Sequence, residues 1–579
     1  MSDRTDDGGP PPPETSAEAP TEGRDDNSPQ GATAQADESP TAPQPGEASS
    51  ATAAPHDAPS DDDSSSVWER VRRSSLPRPV RRFAMRRVIV ADAREMQRSL
   101  SRGDPAENAA TRLPPGEQIR LPLIWLAEIF TPTTIDGLID GMRKLASRPT
   151  GSWPARTDDL AEWIRSSRRE GLFTFHNVPY IRPRGFISFD PMVEDELPTA
   201  ISYVHPRLYT LTPTATVLTA TFGLMDEHAG GLGEILNRDF STRVDVSDRS
   251  STVLSVGSQK DKATDDWRAT LREEAARWLA ERFPGSMHKL VPGQLPAIEF
   301  LLTGLYRPWE PVEDLSDNPA WTSVIDINGG FGYWQADSTP GLRLSERHVR
   351  AQKSHQHVLI FATAEQDLLD GKPSDPQRLA QAIAGLDWSM SGLIARWSLT
   401  AFLRELEEQV PSIQDAADRA SRKRSGRTLT ELQQQLLRAG LDSRIVVNDM
   451  VRFTQNRLWG YDLPDFRRVT PPRVAFLREP TVTLTQWLRQ GQAEDGRRVI
   501  RMENDLREVL STNAELTAAS INLRVQWTAV WIAAIAAFAA VVAVIIALWP
   551  HQNSPATQTP TEHATTHSTS SPSVRSSSP

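Results

Sequence analysis

Apolar and polar positions alternate in short blocks along most of the chain. Between Arg524 and Glu562, however, no Asp, Glu, Lys or Arg occurs, and Trp527 to Trp549 is almost wholly apolar. At about 1.5 Å rise per residue this segment reaches roughly 35 Å, enough to cross a hydrocarbon core of about 30 Å. It predicts one transmembrane helix over 527–549. Trp527, Trp531 and Trp549 fall near its two ends, where amphipathic rings settle at the headgroup level. Just ahead of the span, Val499, Met502, Leu506, Val509, Asn513, Leu516, Ser520, Leu523 and Trp527 recur at spacings of three and four. The rhythm runs on into Val530 and Ala534. A coiled-coil-like seam through Met502, Leu506, Val509, Asn513, Leu516 and Leu523 predicts a homo-oligomer, because one Asn at an a position fixes register and oligomer number. The same stripe also suits packing against other helices of its own chain, since charges at the flanking positions are sparse. Inside the span Ala539, Ala543 and Ala547 are spaced by four, as are Ala533 with Ala537, which lets membrane helices approach closely.

Upstream, the pattern from Ile119 to about Thr363 mixes helices and strands. Ile135, Leu138, Ile139, Met142 and Leu145 follow a helical period behind Thr134, a cap residue. Leu160, Trp163 and Ile164 mark a second helix ending near Gly171. Strand-like runs lie at 172–176, 186–189, 217–224, 298–303, 324–327 and 357–363. A longer helix from about 265 to 283 puts Trp267, Leu271, Ala275, Trp278 and Leu279 on one face and stops at Pro284-Gly285. From Pro376 onward the pattern is helical, at 378–386, 388–409, 429–438 and 443–453, with Thr428 and Glu431 at capping-box spacing. The fold class expected is an α+β (mixed α/β) cytosolic domain followed by a helical stalk and one C-terminal transmembrane helix, with disordered termini. The boundaries are an acidic Pro/Ala/Ser-rich tail at 1–66, a basic linker at 67–115, the mixed domain at 116–370, the stalk at 371–526, the span at 527–549 and a Ser/Thr/Pro-rich tail at 550–579.

Charge sharpens this division. Residues 1–66 carry 15 Asp or Glu against Arg4 and Arg24, so the whole-chain net of −11 describes a tail and leaves the remainder near +2. Such a segment buries too little apolar area to offset its ordering entropy. Between Trp68 and Arg102 the sign reverses, with 11 Arg against Glu69, Asp92 and Glu95. This collar suits a solvated, partly helical linker that pairs with the acidic tail, or contact of residues 67–102 with anionic lipid headgroups. Its only aromatics are Trp68 and Phe83, which speaks against base stacking, and no nucleic-acid partner is expected. Cysteine is absent, excluding disulfides, thiolate metal sites and a cysteine nucleophile. The start lacks a positive n-region and an apolar core, as a signal peptide would need. Arg507 and Arg524 precede the span, while no Lys or Arg follows until Arg575. The expected location is therefore the cell membrane, single-pass, with the N-terminal domain cytoplasmic and the C-terminal tail outside.

The stretch Ser511-Thr512-Asn513-Ala514-Glu515-Leu516-Thr517, ahead of the span, is similar to the Asn and Leu-Thr pattern at the membrane entrance of the CorA-type divalent-cation transporter family. A mixed cytosolic domain, a helical stalk and one long helix entering the bilayer resemble that family's layout over about the last 170 residues before Pro550. The resemblance implies an architecture and does not extend to transport. The family has two spans joined by a Gly-Met-Asn loop, whereas here one span is followed by Trp549-Pro550-His551-Gln552-Asn553, so its selectivity site is carried over to no residue.

Chemistry-bearing motifs are sparse. No phosphate-cradling glycine loop, Gly-x-Ser-x-Gly elbow or His-Glu-x-x-His occurs, and Gly329-Gly330-Phe331-Gly332 reads as a hairpin turn. His355 and His357 would share one side of a strand with His348 nearby, an imidazole set able to hold Zn²⁺. Asp226, Glu227, Glu234 and Asp239 surround Gly230-Gly231 and read as a solvated turn or a cation loop. No catalytic or cofactor-binding residue is indicated, and no cofactor is expected. The leading expectation is a single-pass membrane-anchored cytosolic sensor or scaffold, self-associating and without evident catalytic activity. The alternatives are a CorA-like channel subunit and a membrane-anchored enzyme with its site in the α/β domain.

Overall fold

The computed structural model describes residues 77–147, 157–171, 173–183, 192–247, 251–310, 315–329, 332–337, 341–346, 357–373, 375–422, 444–461, 463, 465–470 and 482–548. The tails expected at 1–66 and 550–579, the strand expected at 186–189, the helix expected at 429–438 with its Thr428 and Glu431, and Trp549 all lie outside them.

The body is mixed α/β. Helix α1 (Arg78–Leu100) and the short α2 (Asp104–Ala110) lead into β1 (Ile119–Phe130), followed by α3 (Ile135–Ala146) and α4 (Thr157–Glu170). Next come β2 (Thr174–Asn177), β3 (Tyr180–Arg182), β4 (Met192–Glu194), β5 (Ile201–Thr212) and β6 (Ala215–Leu224). After α5 (Gly231–Asn237), β7 (Arg243–Val246) and β8 (Ser251–Leu254) form a hairpin, and α6 (Val256–Arg282), α7 (Ser286–Leu290) and β9 (Ala297–Thr303) follow. The remainder is β10 (Tyr333–Ala336), β11 (Arg343–Glu346), β12 (Val358–Ala364), α8 (Pro376–Arg422), α9 (444–453), β13 (Phe466–Val469) and α10 (Leu484–Leu548).

Eleven strands form one sheet in the order β13-β10-β11-β12-β9-β1-β6-β5-β3-β4, with β2 also on β5. Pairing is antiparallel through β5, β6, β1 and β9, and parallel between β9 and β12. Ile124 stands between Phe222 and Glu299 in one cross-strand row, and Trp125 between Thr221 and Ile298 in the next. Because side chains alternate, these two rows face opposite layers. The first meets α6, through Phe222 against Trp278 and Glu299 against Arg268. The second meets α8, through Trp125 and Thr221 against Asp387.

The core does not stop at the boundary expected at residue 371. Met390, Leu393, Ile394 and Trp397 of α8, Trp459, and Leu484 and Leu488 of α10 belong to the same buried cluster as Trp125 and Phe300. What reads as the start of a stalk is therefore the second helical layer of the domain, and β13, from the same half, joins the sheet beside β10. Nor is the end of the linker free. Asp104 and Asn108 of α2 are buried, and Asn108 exchanges hydrogen bonds with the Phe240 backbone at 2.7 and 3.0 Å. The helix expected to end at Gln409 continues through Pro411 to Arg422. The strand expected at 324–327 is instead the end of a short helix (Ala320–Val324) followed by a left-handed Asp326 (φ 59°). Thr134 precedes α3 as expected, but its hydroxyl accepts from the Thr131 N–H (2.9 Å) and contacts Ser286 (2.9 Å) rather than capping the helix.

Candidate functional site

The feature that sets this domain apart is how the apolar helix is rooted. Helix α10 is unbroken over 65 residues, roughly 98 Å at 1.5 Å per residue. Over its first part Leu484, Leu488, Gln492, Val499, Leu506 and Leu510 are buried at intervals of four and seven residues, one face of the helix. Gln492 is the polar pin of this face. Its amide nitrogen donates to the Arg396 carbonyl (2.7 Å) and to Thr400 (3.1 Å), while its oxygen accepts from the Trp459 indole (3.1 Å). Arg498 meets Glu407 at 3.1 Å one turn and a half further on, so α8 and α10 run in the same direction. Beyond Leu510 the described side chains are exposed. The 25-residue stretch Asn522–Ile546 contains an 18-residue window with a mean hydropathy of 2.8 and no buried side chain, and is long and apolar enough to span a membrane.

This divides the expected oligomer seam. Val499 and Leu506 are buried in the chain's own fold, and Met502 and Val509 are half-buried. Leu516 and Leu523 are 64% and 58% exposed, as are Trp527 and Trp531 at 64% each. The side chain of Asn513 lies outside the described residues. The upstream half of the stripe is thus an intrachain contact, and only the downstream half is free for another partner.

A buried carboxylate ties the root to the sheet. Asp387 of α8 lies over the row formed by Trp125, Thr221 and His205 on β1, β6 and β5, three residues in direct cross-strand register. Its side chain accepts from the Trp125 indole (2.9 Å), from Thr221, from Arg207 (2.9 Å) and pairs with His205 Nδ1 (2.7 Å). Arg207 also donates to the Asp387 carbonyl (2.8 Å) and to Ser391 (3.0 Å), and Tyr180 stacks on His205 at 4.0 Å. Burial alone would push the Asp387 carboxyl up, but His205, Arg207 and Thr221 together outweigh it and hold the group below the ordinary aspartate value. Ser391 bonds the carboxylate and the guanidinium rather than the imidazole, so these residues do not form an Asp–His–Ser relay. The cluster acts as a clamp between helix and sheet.

On the opposite face Glu299 of β9 sits between Arg268 and Arg272 of α6, all three buried. A third buried acid, Glu128, lies near the end of β1 and accepts backbone N–H groups from Met287 (2.8 Å), His288 (3.1 Å) and Ile129 (3.0 Å). Burial pushes its carboxyl up to about 8, against the pull of those three donors. Between the ordinary value of 4.5 and about 8 the folded chain keeps a proton that the unfolded chain has released. Stability contributed by the neutral acid is therefore full below 4.5 and declines as pH rises through that window, by at most about 1.4 kcal/mol per unit. Thermal unfolding of the full chain across this range is expected to show the decline, and Glu128→Gln to remove it. A wild-type profile parallel to that of the variant would refute the assignment.

Of the expected imidazole set, His348 and His355 lie outside the described residues. His357 is buried with φ 69°, and its Nε2 bonds Glu405 of α8 at 2.8 Å while its carbonyl accepts from the Trp397 indole (2.8 Å). It fastens β12 to α8. Among the described residues no three His, Asp or Glu side chains gather as a metal site, and Asp226, Glu227, Glu234 and Asp239 spread over two helix starts, with Asp239 paired to Arg112 (2.8 Å). The clamp residues His205, Arg207 and Asp387 carry no sequence motif; only the polar pair on an otherwise apolar strand hints at them. Compared with protein-family models, curated proteins and solved structures, the chain matches none.

Proposed function

We propose that the protein is a single-pass membrane-anchored scaffold or sensor whose α/β body sits on the cytoplasmic side and which self-associates along the exposed part of α10. The observation that carries this reading is the continuity of α10 from the buried Gln492 pin to the apolar stretch Asn522–Ile546. A helix without a break transmits position and orientation between body and bilayer. After Thr528 this stretch carries no hydroxyl, amide or charged side chain, which favours an anchor over a pore-lining helix of a CorA-like channel. The full chain is expected to stay with membranes through a carbonate wash, and the chain lacking 522–546 to be released. An impermeant reagent on whole cells is expected to spare the α/β body. Recovery of the intact chain in the supernatant, or labelling of the body, rejects the proposal.

Self-association draws support from the free half of the seam. The detergent-solubilised chain is expected to size as an oligomer, and Leu516→Glu with Leu523→Glu to size as a monomer with an unchanged fold. A monomer in both cases removes the oligomer. The collar supports a second contact, since α1 exposes Arg86, Arg87, Arg94 and Arg98 beside Phe83 (61%) and Met96 (44%). Basic residues close to anionic lipid contribute about 1 kcal/mol each. Residues 67–102 are expected to co-sediment with phosphatidylserine vesicles at low salt and to be released at high salt, and equal binding at both rejects electrostatic docking.

A further inference from the structure

The carboxyl ends of the parallel strands β9 and β12 hold a buried guanidinium with no acidic partner among the described residues. Arg343, the first residue of β11, is 7% exposed and pairs across the sheet with Ala362 of β12. Its Nη1 donates to the Pro308 carbonyl, and its guanidinium lies 5.4 Å from the centre of the Tyr333 ring. Nε is buried without a hydrogen-bond partner, and Nη2 donates to nothing among the described residues. The edge left open among the described residues is therefore the Nε–Nη2 fork, whose spacing matches the two oxygens of a carboxylate or phosphate.

The surroundings are aromatic and rigidly held. Trp321 is 1% exposed, and its indole N–H is also buried without a partner. Its ring packs edge-on against Tyr306 at 5.2 Å, and Tyr333 stacks with Trp309 at 6.4 Å. Tyr306 is fixed where the chain leaves β9, because Glu117 accepts the backbone N–H groups of Gly304 (2.7 Å) and Tyr306 (2.8 Å). Trp309 and Asp326 both adopt left-handed backbone (φ 51° and 59°) and are bonded to one another's loops, Trp309 N–H to the Ile327 carbonyl at 2.8 Å and its indole to the Asp326 carbonyl at 3.1 Å. Non-glycine residues held in that region, next to buried donors left unmatched, are the pattern that pre-organised ligand sites show. The nearby carboxylates Glu310 and Asp367 face Arg307, at 3.9 and 3.1 Å, rather than Arg343. The edge beyond the carboxyl ends of parallel strands is also where open α/β sheets take their ligands.

We propose that Arg343 and the indole N–H of Trp321 bind a small organic carboxylate, seated among the rings of Tyr306, Trp321 and Tyr333. Arg343 supplies the two-point grip on the anion, Trp321 a third donor, and the rings select for an apolar or aromatic body. The inference holds with or without the membrane anchor, since every residue in it belongs to the α/β body. It gives the sensing alternative of the proposed function a class of ligand.

The test is calorimetric titration of the full detergent-solubilised chain with benzoate, acetate and inorganic phosphate. Saturable binding of benzoate, tighter than that of acetate, is expected. Arg343→Lys keeps the charge but loses the fork and is expected to weaken benzoate by roughly tenfold or more. Trp321→Phe keeps the ring but loses the donor and is expected to weaken it by a few fold, which leaves a readout even if Arg343→Lys fails to fold. No saturable benzoate binding, equal affinity in wild type and in both variants, or binding of phosphate in its place each overturns the proposal.

Discussion

Asp387→Ala is expected to destabilise the full chain by about 3–5 kcal/mol, because it strips a shared acceptor from four buried donors at once. His205, Arg207, Trp125 and Thr221 stand on three adjacent strands and converge on that one carboxylate. Alanine leaves the Arg207 guanidinium, 8% exposed at its side chain, without its counter-charge, while the Asp387 backbone carbonyl, Ser391 and the Trp388 ring (5.1 Å) continue to satisfy part of it. Asp387→Asn preserves shape but places an amide nitrogen among donors and removes the charge, so it is expected to lose a large share of the same stability. Adding Arg207→Met to Asp387→Ala is expected to recover part of the loss by removing the orphaned cation. Acid narrows the difference. The folded carboxyl is held below the ordinary value of 3.8, so its contribution is complete above that value and disappears as pH falls through the lower folded one. Thermal and denaturant unfolding of wild type and variants, followed by circular dichroism, supplies the measurement. A loss under about 0.5 kcal/mol for Asp387→Ala would mean that the cluster is solvated and clamps nothing.

What could be read from sequence follows from which signals are local. The apolar span, α3, α4 with its left-handed Gly171 (φ 66°), the body of α6, and the strands β6, β9 and β12 each announce themselves through periodicity and a breaker residue. The two longest strands, β1 and β5, do not. In β1 the run from Leu123 to Phe130 is buried on both faces, so no alternation appears, and Pro122 stands within the strand just ahead of it. In β5 the sequence His205-Pro206-Arg207 looks like a loop, since the residue that satisfies both polar side chains is Asp387, about 180 positions away. Helical periodicity likewise revealed α8 and α10 without revealing what they pack on, which is why a domain layer passed for a stalk. Of the imidazole set expected from sequence only His357 is among the described residues, and its pairing with Glu405, like that of His205 with Asp387, is one that only the fold brings together.

Both clamps face α8, and α8 in turn holds α10, so the bilayer-seeking helix is fixed to the sheet through Asp387, Glu405 and Gln492 in series. The other helical layer depends on a different kind of contact. Glu299→Ala is expected to cost about 3–5 kcal/mol, because it abandons two guanidinium groups where water cannot reach them. The side chains of Glu299 and Arg268 are 0% exposed and that of Arg272 is 7%. Burial would push the Glu299 carboxyl up, but Arg268 and Arg272 outweigh it and hold it below the ordinary glutamate value. Its contribution is therefore present above pH 4.5 and lost on acidification, opposite in sign to that of Glu128, whose neutral form is the one the fold stabilises. Replacing the whole triad, Glu299→Leu with Arg268→Met and Arg272→Met, is expected to restore stability to near or above wild type, since the cost of desolvating three charges goes with them. The comparison separates a pairing effect from a packing effect. If the triple variant is no more stable than Glu299→Ala, the loss comes from reshaping the β9–α6 contact and the ion triad is incidental.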